Sequence, residues 1–344
     1  MDSIKQIPTI KDVAATAGVS TASVSHYINK TRPMSDELGA RIGSAIKELG
    51  YVPNLLVGGL RKNKTYSVGL IIPCISNETM GGFAESLQKS LQTIGHSLII
   101  CNTSYSENQE LRAIRTMIMN KVDAVVAIPT SSSPKPYLQM RRFGIPLLFI
   151  DRVIDGFSTD VIKLDNYHAS IKVVEHLVSL GHRHICYVDR AKAQSHSNEQ
   201  RQGYLDGLKK YGFDQEYVLS AEGYDYASGQ EVGQRIIKTM PKVTAIYAYY
   251  DIIACGVMRA IAEAGYQVPG DFSVVGFDAM PFAMSMTPKL TSICFPVEEI
   301  GQKAFQLISN RINNKKTLVE DDFTQMTVIP ELVIGETTTY RRQL

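Results

Sequence analysis

The chain has 344 residues, 44% of them hydrophobic and 20% charged, with a formal net charge of +2. At about 100–200 residues per domain this length suggests two or three domains, and the composition excludes a largely disordered protein. The charge is unevenly spread: residues 1–65 hold nine Lys/Arg against five Asp/Glu, net +4, and the remainder is net −2, so any polyanionic partner is expected at the N-terminal piece.

Residues 9–50 read as three short helices. Thr9 precedes the first, with Asp12 placed to reach back in a capping box, and Gly18 stops it. Ser20 caps a second helix over about 21–28, and Ser35 a third that Gly50 ends. Only Gly18 and Val19 lie between Ala17 and Ser20, and so tight a turn marks a helix-turn-helix. Leu38, Ile42, Ala45, Ile46 and Leu49 share one face of the third helix, opposite Val13, Ala14, Val24 and Ile28. Residues 51–66 form a link carrying Pro53, the Gly58-Gly59 pair and the cations Arg61, Lys62 and Lys64.

From residue 67 the pattern changes. Apolar runs of strand length at 68–72, 98–101, 122–128, 146–150, 184–188, 244–249 and 272–277 alternate with amphipathic stretches such as 83–94, 109–120, 170–180, 199–211 and 252–264. Continuous apolar runs fit buried parallel strands, and strands alternating with helices imply right-handed crossovers. The fold class expected is α/β, an all-α headpiece followed by a parallel-sheet body.

Five cysteines, Cys74, Cys101, Cys186, Cys255 and Cys294, are widely spaced and form no CxxC, which suits a reducing compartment better than a disulfide framework or a zinc ribbon. Residues 1–18 carry no apolar signal stretch, and no run approaches the roughly 20 apolar residues of a membrane helix, so a cytoplasmic protein with no membrane contact is expected. His182 and His184 form an HxH without a neighbouring Cys or carboxylate cluster. No metal is assigned to them. No GxSxG, HExxH, P-loop or dinucleotide-binding glycine motif occurs, so neither an enzyme nor a cofactor is expected.

The stretch IKDVAATAGVSTASVSHYINKTRPMS (10–35) resembles the headpiece of the LacI family of bacterial transcription regulators. The resemblance continues in order through AIKELGYVPN (45–54), VGLIIPCISN (68–77), HLVSLGHRHI (176–185), QRQGYLDGL (200–208) and VPGDFSVVGFDAM (268–280). The second-helix run is most similar to that of the family's purine-responsive members. The resemblance implies a DNA-binding headpiece (1–50), a hinge (51–66) and a two-lobed body like that of periplasmic binding proteins (67–344). Its first lobe would span about 67–165 and 296–326, and its second about 166–295 and 327–344. It also implies a homodimeric repressor of operator DNA whose affinity a small effector controls. That effector is expected to be a sugar or sugar acid, or alternatively a nucleobase. A solute-binding protein is the reading from another class, and residues 1–65 count against it.

By the family's pattern Thr21, Ala22 and His26 face the bases. Many relatives carry Arg where His26 stands, and His gives one hydrogen bond to a guanine edge where Arg gives two. Ser20, Ser23, Ser25 and Asn29 would hold phosphates, which sets register without reading sequence. Leu60 matches a leucine that wedges into the minor groove, flanked by Arg61 and Lys62. Gly58-Gly59 replaces the usual Arg-Ser, and two glycines weaken a hinge helix by about 2 kcal/mol. In the body, Arg201 is assigned to the ligand-facing arginine of an RxxG motif, Asp278 to the aspartate of GFD, and Asp151 to one at the pocket edge. Tyr250-Asp251 stands where relatives have Asn-Asp, so Tyr250 would stack on a ligand ring, and Arg152 would pair with an acidic ligand group.

Overall fold

The computed structural model describes residues 8–29, 31–52, 64–190, 195–314 and 322–341, the side chains of 195–197 excepted. Leu60, Arg61, Lys62 and the Gly58-Gly59 pair lie outside the described residues. The chain divides into two compact units, Met1–Tyr66 and Ser67–Leu344.

In the first unit the caps read from the sequence set the helix ends. α1 (Ile10–Ala17), α2 (Thr21–Asn29) and α3 (Asp36–Leu49) follow one another. The Thr9 amide and hydroxyl both donate to the Asp12 carboxylate at 2.7 Å, and these bonds hold that carboxyl below its usual range. Ser20 Oγ accepts the Ser23 amide at 3.1 Å. Gly18 closes α1 in the left-handed region at φ 62°, where a side chain would be strained. Arg41 reaches across from α3 to donate to the Ala17 carbonyl at 2.6 Å, placing a cation at the C-terminal end of α1. Val13, Ala14, Ala17, Val24, Ile42 and Ala45 are buried together, a core small enough to be marginal by itself.

The second unit runs β1 (Ser67–Ile72), α4 (Glu78–Gln92), β2 (Ser97–Asn102), α5 (Glu107–Met119), β3 (Ala124–Ala127), α6 (Lys135–Arg142), β4 (Leu147–Ile150), β5 (Asp160–Leu164), α7 (Asn166–Ser179), β6 (Ile185–Arg190), α8 (Ser195–Lys210), β7 (Tyr217–Ala221), α9 (Tyr226–Thr239), β8 (Ala245–Ala248), α10 (Asp251–Glu263), β9 (Ser273–Asp278), α11 (Pro281–Ser285), β10 (Thr291–Cys294), α12 (Val297–Asn313), β11 (Gln325–Val328) and β12 (Glu331–Val333). Among the described residues the strands form two six-stranded sheets ordered β2-β1-β3-β4-β5-β11 and β7-β6-β8-β9-β10-β12. Every pairing is parallel except β10 with β12. The chain crosses between the sheets after β5, after β10 and after β11. The last crossing falls at Ile329-Pro330.

Central strands β1, β3, β4, β6, β8 and β9 are buried along their whole length, which is why they read as uninterrupted apolar runs. In the first lobe Val68, Leu70 and Ile72 face Phe83, Leu87 and Ile308 on one side of the sheet. Ile71 packs with Ile114, Met117 and Phe149 on the other. The second lobe closes around a tyrosine-rich core that includes Tyr187, Tyr204, Tyr247 and Tyr249. Arg311 on α12 grips the Asp160 carboxylate on β5 with two bonds of 2.8 Å, and the Thr324 amide adds a third at 2.9 Å, fastening α12 and β11 to the first lobe.

Candidate functional site

Each sheet has a point at which the strand order reverses, between β1 and β3 in one and between β6 and β8 in the other. Loops leave such points in opposite directions and open a crevice beyond the carboxyl ends of the strands. The two crevices face each other within the body and enclose a cavity of about 50 Å³. The first lobe contributes Pro73, Asn77, Tyr105, Thr130, Asp151 and Arg152, and the second contributes Asn166, Gln200, Tyr250 and Asp278. Ligand pockets run to about 300–1,000 Å³, so the lobes are closed on one another and must part to admit even a small molecule.

The contacts that close them are specific. The Glu78 carboxylate at the start of α4 accepts the Phe282 amide at 3.0 Å. Lys163 on β5 meets Glu199 on α8 at 2.7 Å. Tyr105 and Tyr224 stack across the cleft, ring centroids 4.6 Å apart and planes within 5°, and the Arg190 guanidinium covers the Tyr224 ring at 4.2 Å.

The polar walls are unusual in their acids. Asp151 follows β4 in the left-handed region at φ 63°, where Asp is among the few residues tolerated. It accepts a 3.0 Å bond from Asn166, yet burial pushes its carboxyl up to about 7. Asp278 ends β9 at φ 105°. Burial first, and the charge of Asp251 second, raise it well above the carboxylate range against a bond from Asn77. Burial lowers Arg152, opposed by the charge of Asp151, and its Nη1 donates to the Thr130 carbonyl at 3.2 Å. The Thr130 and Ser131 amides are in turn held by the buried Glu110 carboxylate at 2.6 and 2.9 Å, which also accepts the Tyr137 hydroxyl at 2.6 Å. Glu110 thereby fixes the loop against which Arg152 rests.

Four of the five residues assigned to the pocket from the sequence, Asp151, Arg152, Tyr250 and Asp278, line the cavity. Arg201 does not. Its side chain is 49% exposed, and its Nε lies 3.8 Å from the buried Asp189 carboxylate. Gln200, which is 3% exposed, takes the cavity position. The reason is helical register. Gln200, Gly203, Tyr204 and Gly207 form one face of α8, and a Cβ at Gly203 would collide with the Tyr167 carbonyl on α7. That close packing turns residue 200 inward and residue 201 outward. The motif RxxG counted back from Gly203 reaches Gln200, so the signal was present in the sequence. Tyr105, Thr130 and Asn166 carry no such mark. They follow strand ends, and only the topology brings them together. Asp251, beside Tyr250, is structural: it accepts the Met280 amide and the Ser292 hydroxyl, both at 2.6 Å. His182 is likewise absorbed by Thr244 and Ser273 at 2.9 Å each, and burial takes it down to about 4.

In the first unit Thr21 and Ala22 stand exposed at the start of α2, with His26 half-buried one turn on. The Ser20 hydroxyl is engaged in the helix cap and meets Ser23 Oγ at 3.0 Å. The Asn29 amide donates to the Ser25 carbonyl at 2.8 Å. Thr21, Ala22, Ser25, His26 and Asn29 all lie on α2, where one helix can carry base-facing and phosphate-facing groups together.

Residues 9–54 match the family described as bacterial regulatory proteins, lacI family, and residues 174–338 match a periplasmic binding protein-like domain. The ribose operon repressor of Escherichia coli (strain K12) is 29% identical over 307 residues, 88% of this chain and 93% of that one. The HTH-type transcriptional repressor PurR of Photorhabdus laumondii subsp. laumondii is 32% identical over 331 residues, covering 94% and 95%. Among solved structures, a Lacl family transcriptional regulator from Silicibacter pomeroyi superposes with a TM-score of 0.83 at 25% identity, over 97% of this chain and all of that one. A complex of the transcriptional regulator CelR with cellobiose gives 0.71 at 25% identity, over 96% and 99%.

Proposed function

Because the chain belongs to the LacI family of bacterial regulatory proteins, we propose that it is a cytoplasmic, homodimeric repressor whose grip on operator DNA is set by a small neutral sugar held between the two lobes of its body. Residues 1–50 would read DNA, 51–66 would form the hinge and 67–344 the effector body. Thr21, Ala22 and His26 would meet base edges, and Ser20, Ser23, Ser25 and Asn29 the phosphates, with two headpieces on a near-palindromic site. Leu60, Arg61 and Lys62 would act at the minor groove.

The observation that carries the effector reading is the chemistry of the cavity. Two carboxyls, Asp151 and Asp278, approach it from opposite lobes beside Asn77, Asn166 and Gln200. Carboxyls and amides give the paired donors and acceptors that hydroxyl groups require. Among the described residues lining the cavity the one cation is Arg152, which already faces Asp151 and donates to Thr130, and this disfavours a sugar acid. Ribose and cellobiose, named with the relatives, fit this class. Tyr105 and Tyr250, which line the cavity from opposite lobes, favour a nucleobase as the second reading, through stacking.

A thermal-shift screen of neutral sugars, sugar acids and nucleobases tests it. A ligand at 100 times its Kd stabilises by about 2.7 kcal/mol. A shift with a neutral sugar, D-ribose first, supports the reading. Shifts confined to acids or nucleobases overturn it.

A further inference from the structure

We propose that Thr31 is a positioning residue for base recognition: it holds the His26 ring so that Nε2–H alone is presented to the DNA. The inference rests on α2 being the recognition helix. Thr31 lies beyond the end of α2, five residues after His26, and is tied to it twice. Its amide donates to the His26 carbonyl at 3.2 Å, a bond of the kind that closes helix C-termini. Its hydroxyl lies 2.7 Å from His26 Nδ1. The backbone bond fixes where Thr31 sits, and the side-chain bond then fixes the ring. Thr31 is itself exposed and His26 half-buried, so the pair lies at the surface rather than in the small core.

Three steps of chemistry follow. A neutral imidazole has one donor and one acceptor nitrogen, and the bond made by one decides what the other offers. A threonine hydroxyl rotates to suit its partner. By donating into Nδ1, it keeps the proton on Nε2, the tautomer the free side chain already favours. Nε2–H pairs only with an acceptor. In the major groove guanine offers two acceptors, N7 and O6, and cytosine offers only a donor. His26 held in this way takes an edge that carries an acceptor, guanine N7 or O6, adenine N7 or thymine O4, and rejects cytosine. An arginine at this place needs no such partner, because its guanidinium is always a donor. The exchange of Arg for His therefore makes recognition depend on a second residue, and Thr31 is the residue in contact.

The test needs neither a known operator nor an effector. The full chain is used to select duplexes from a random DNA library, as wild type and as His26→Ala, Thr31→Val and Thr31→Ser, and the half-site preferences are compared. The expected result is that H26A and T31V lose discrimination against cytosine at the same single position, T31V by roughly threefold to tenfold, whereas T31S keeps it. Nitrogen-15 spectra of the free protein should show the proton on Nε2 in wild type and T31S and a mixture in T31V. If H26A erases the preference and T31V retains it, Thr31 has no positioning role. If T31V weakens every position alike, its role is structural only. If H26A changes no position, His26 does not read bases, and if wild type enriches no motif, the DNA-binding reading fails with it.

Discussion

Replacing Asp151 with Asn should stabilise the body at neutral pH while weakening its effector site. Burial raises the Asp151 carboxyl to about 7, against about 3.9 in an unfolded chain. Between these values the folded protein keeps a proton that the unfolded chain has released. Stability therefore falls as pH rises from about 4 to about 7 and is level above that. About three units at 1.36 kcal/mol each give an upper bound near 4 kcal/mol. Asp151 is half-buried, so solvent screening cuts this to about 2 kcal/mol at pH 8. Asparagine retains the acceptor used by Asn166 and tolerates the φ of 63°. Paired thermal melts at pH 4.5 and pH 8 isolate the group, because Asp251 and Asp278 are present in both proteins. Asp151→Asn should match wild type at the lower pH and melt about 4 °C higher at pH 8. A difference independent of pH, or a less stable variant at pH 8, would refute the reasoning.

Arg311→Ala should cost about 3–5 kcal/mol, because it strands the buried Asp160 carboxylate, which is 2% exposed; urea unfolding reads the loss. Gln200→Ala should weaken sugar binding about tenfold by calorimetry, and Arg201→Ala should leave it unchanged; the reverse order would return Arg201 to the site. Tyr105→Ala removes a stacked pair worth about 0.5–1.5 kcal/mol, so sugar dissociation in stopped flow should quicken roughly twofold to tenfold.

Long buried strands and capped helices were legible in the sequence because one physical cause dominates each. Val68–Ile72 and Thr244–Tyr249 are apolar since both faces of a central parallel strand are covered, and Thr9, Ser20 and Ser35 announce helix starts through orphan amides. Strands β5, β7, β10, β11 and β12 were not legible: polar residues interrupt their apolar runs, as Asp160 and Lys163 do in β5, and β7 carries half-exposed residues between its buried ends. Helices α6, α9, α11 and α12 were also not picked out, and α12 lies where the chain has just changed lobes. The pocket divided the same way. Asp151, Arg152, Tyr250 and Asp278 sit at strand ends that the apolar runs locate, whereas the choice between Gln200 and Arg201 turns on one step of helical register that Gly203 sets through its contact with Tyr167.

The most direct measurement is made on a natural site. Genomic fragments bound by the full chain are recovered, and the strongest is titrated with protein by fluorescence anisotropy, with and without the sugar that raises the melting temperature. A near-palindromic site whose affinity changes by about 5–150-fold on adding that sugar is the predicted result. Fragments without a common site, or a site whose affinity the sugar leaves unaltered, would contradict a ligand-controlled repressor.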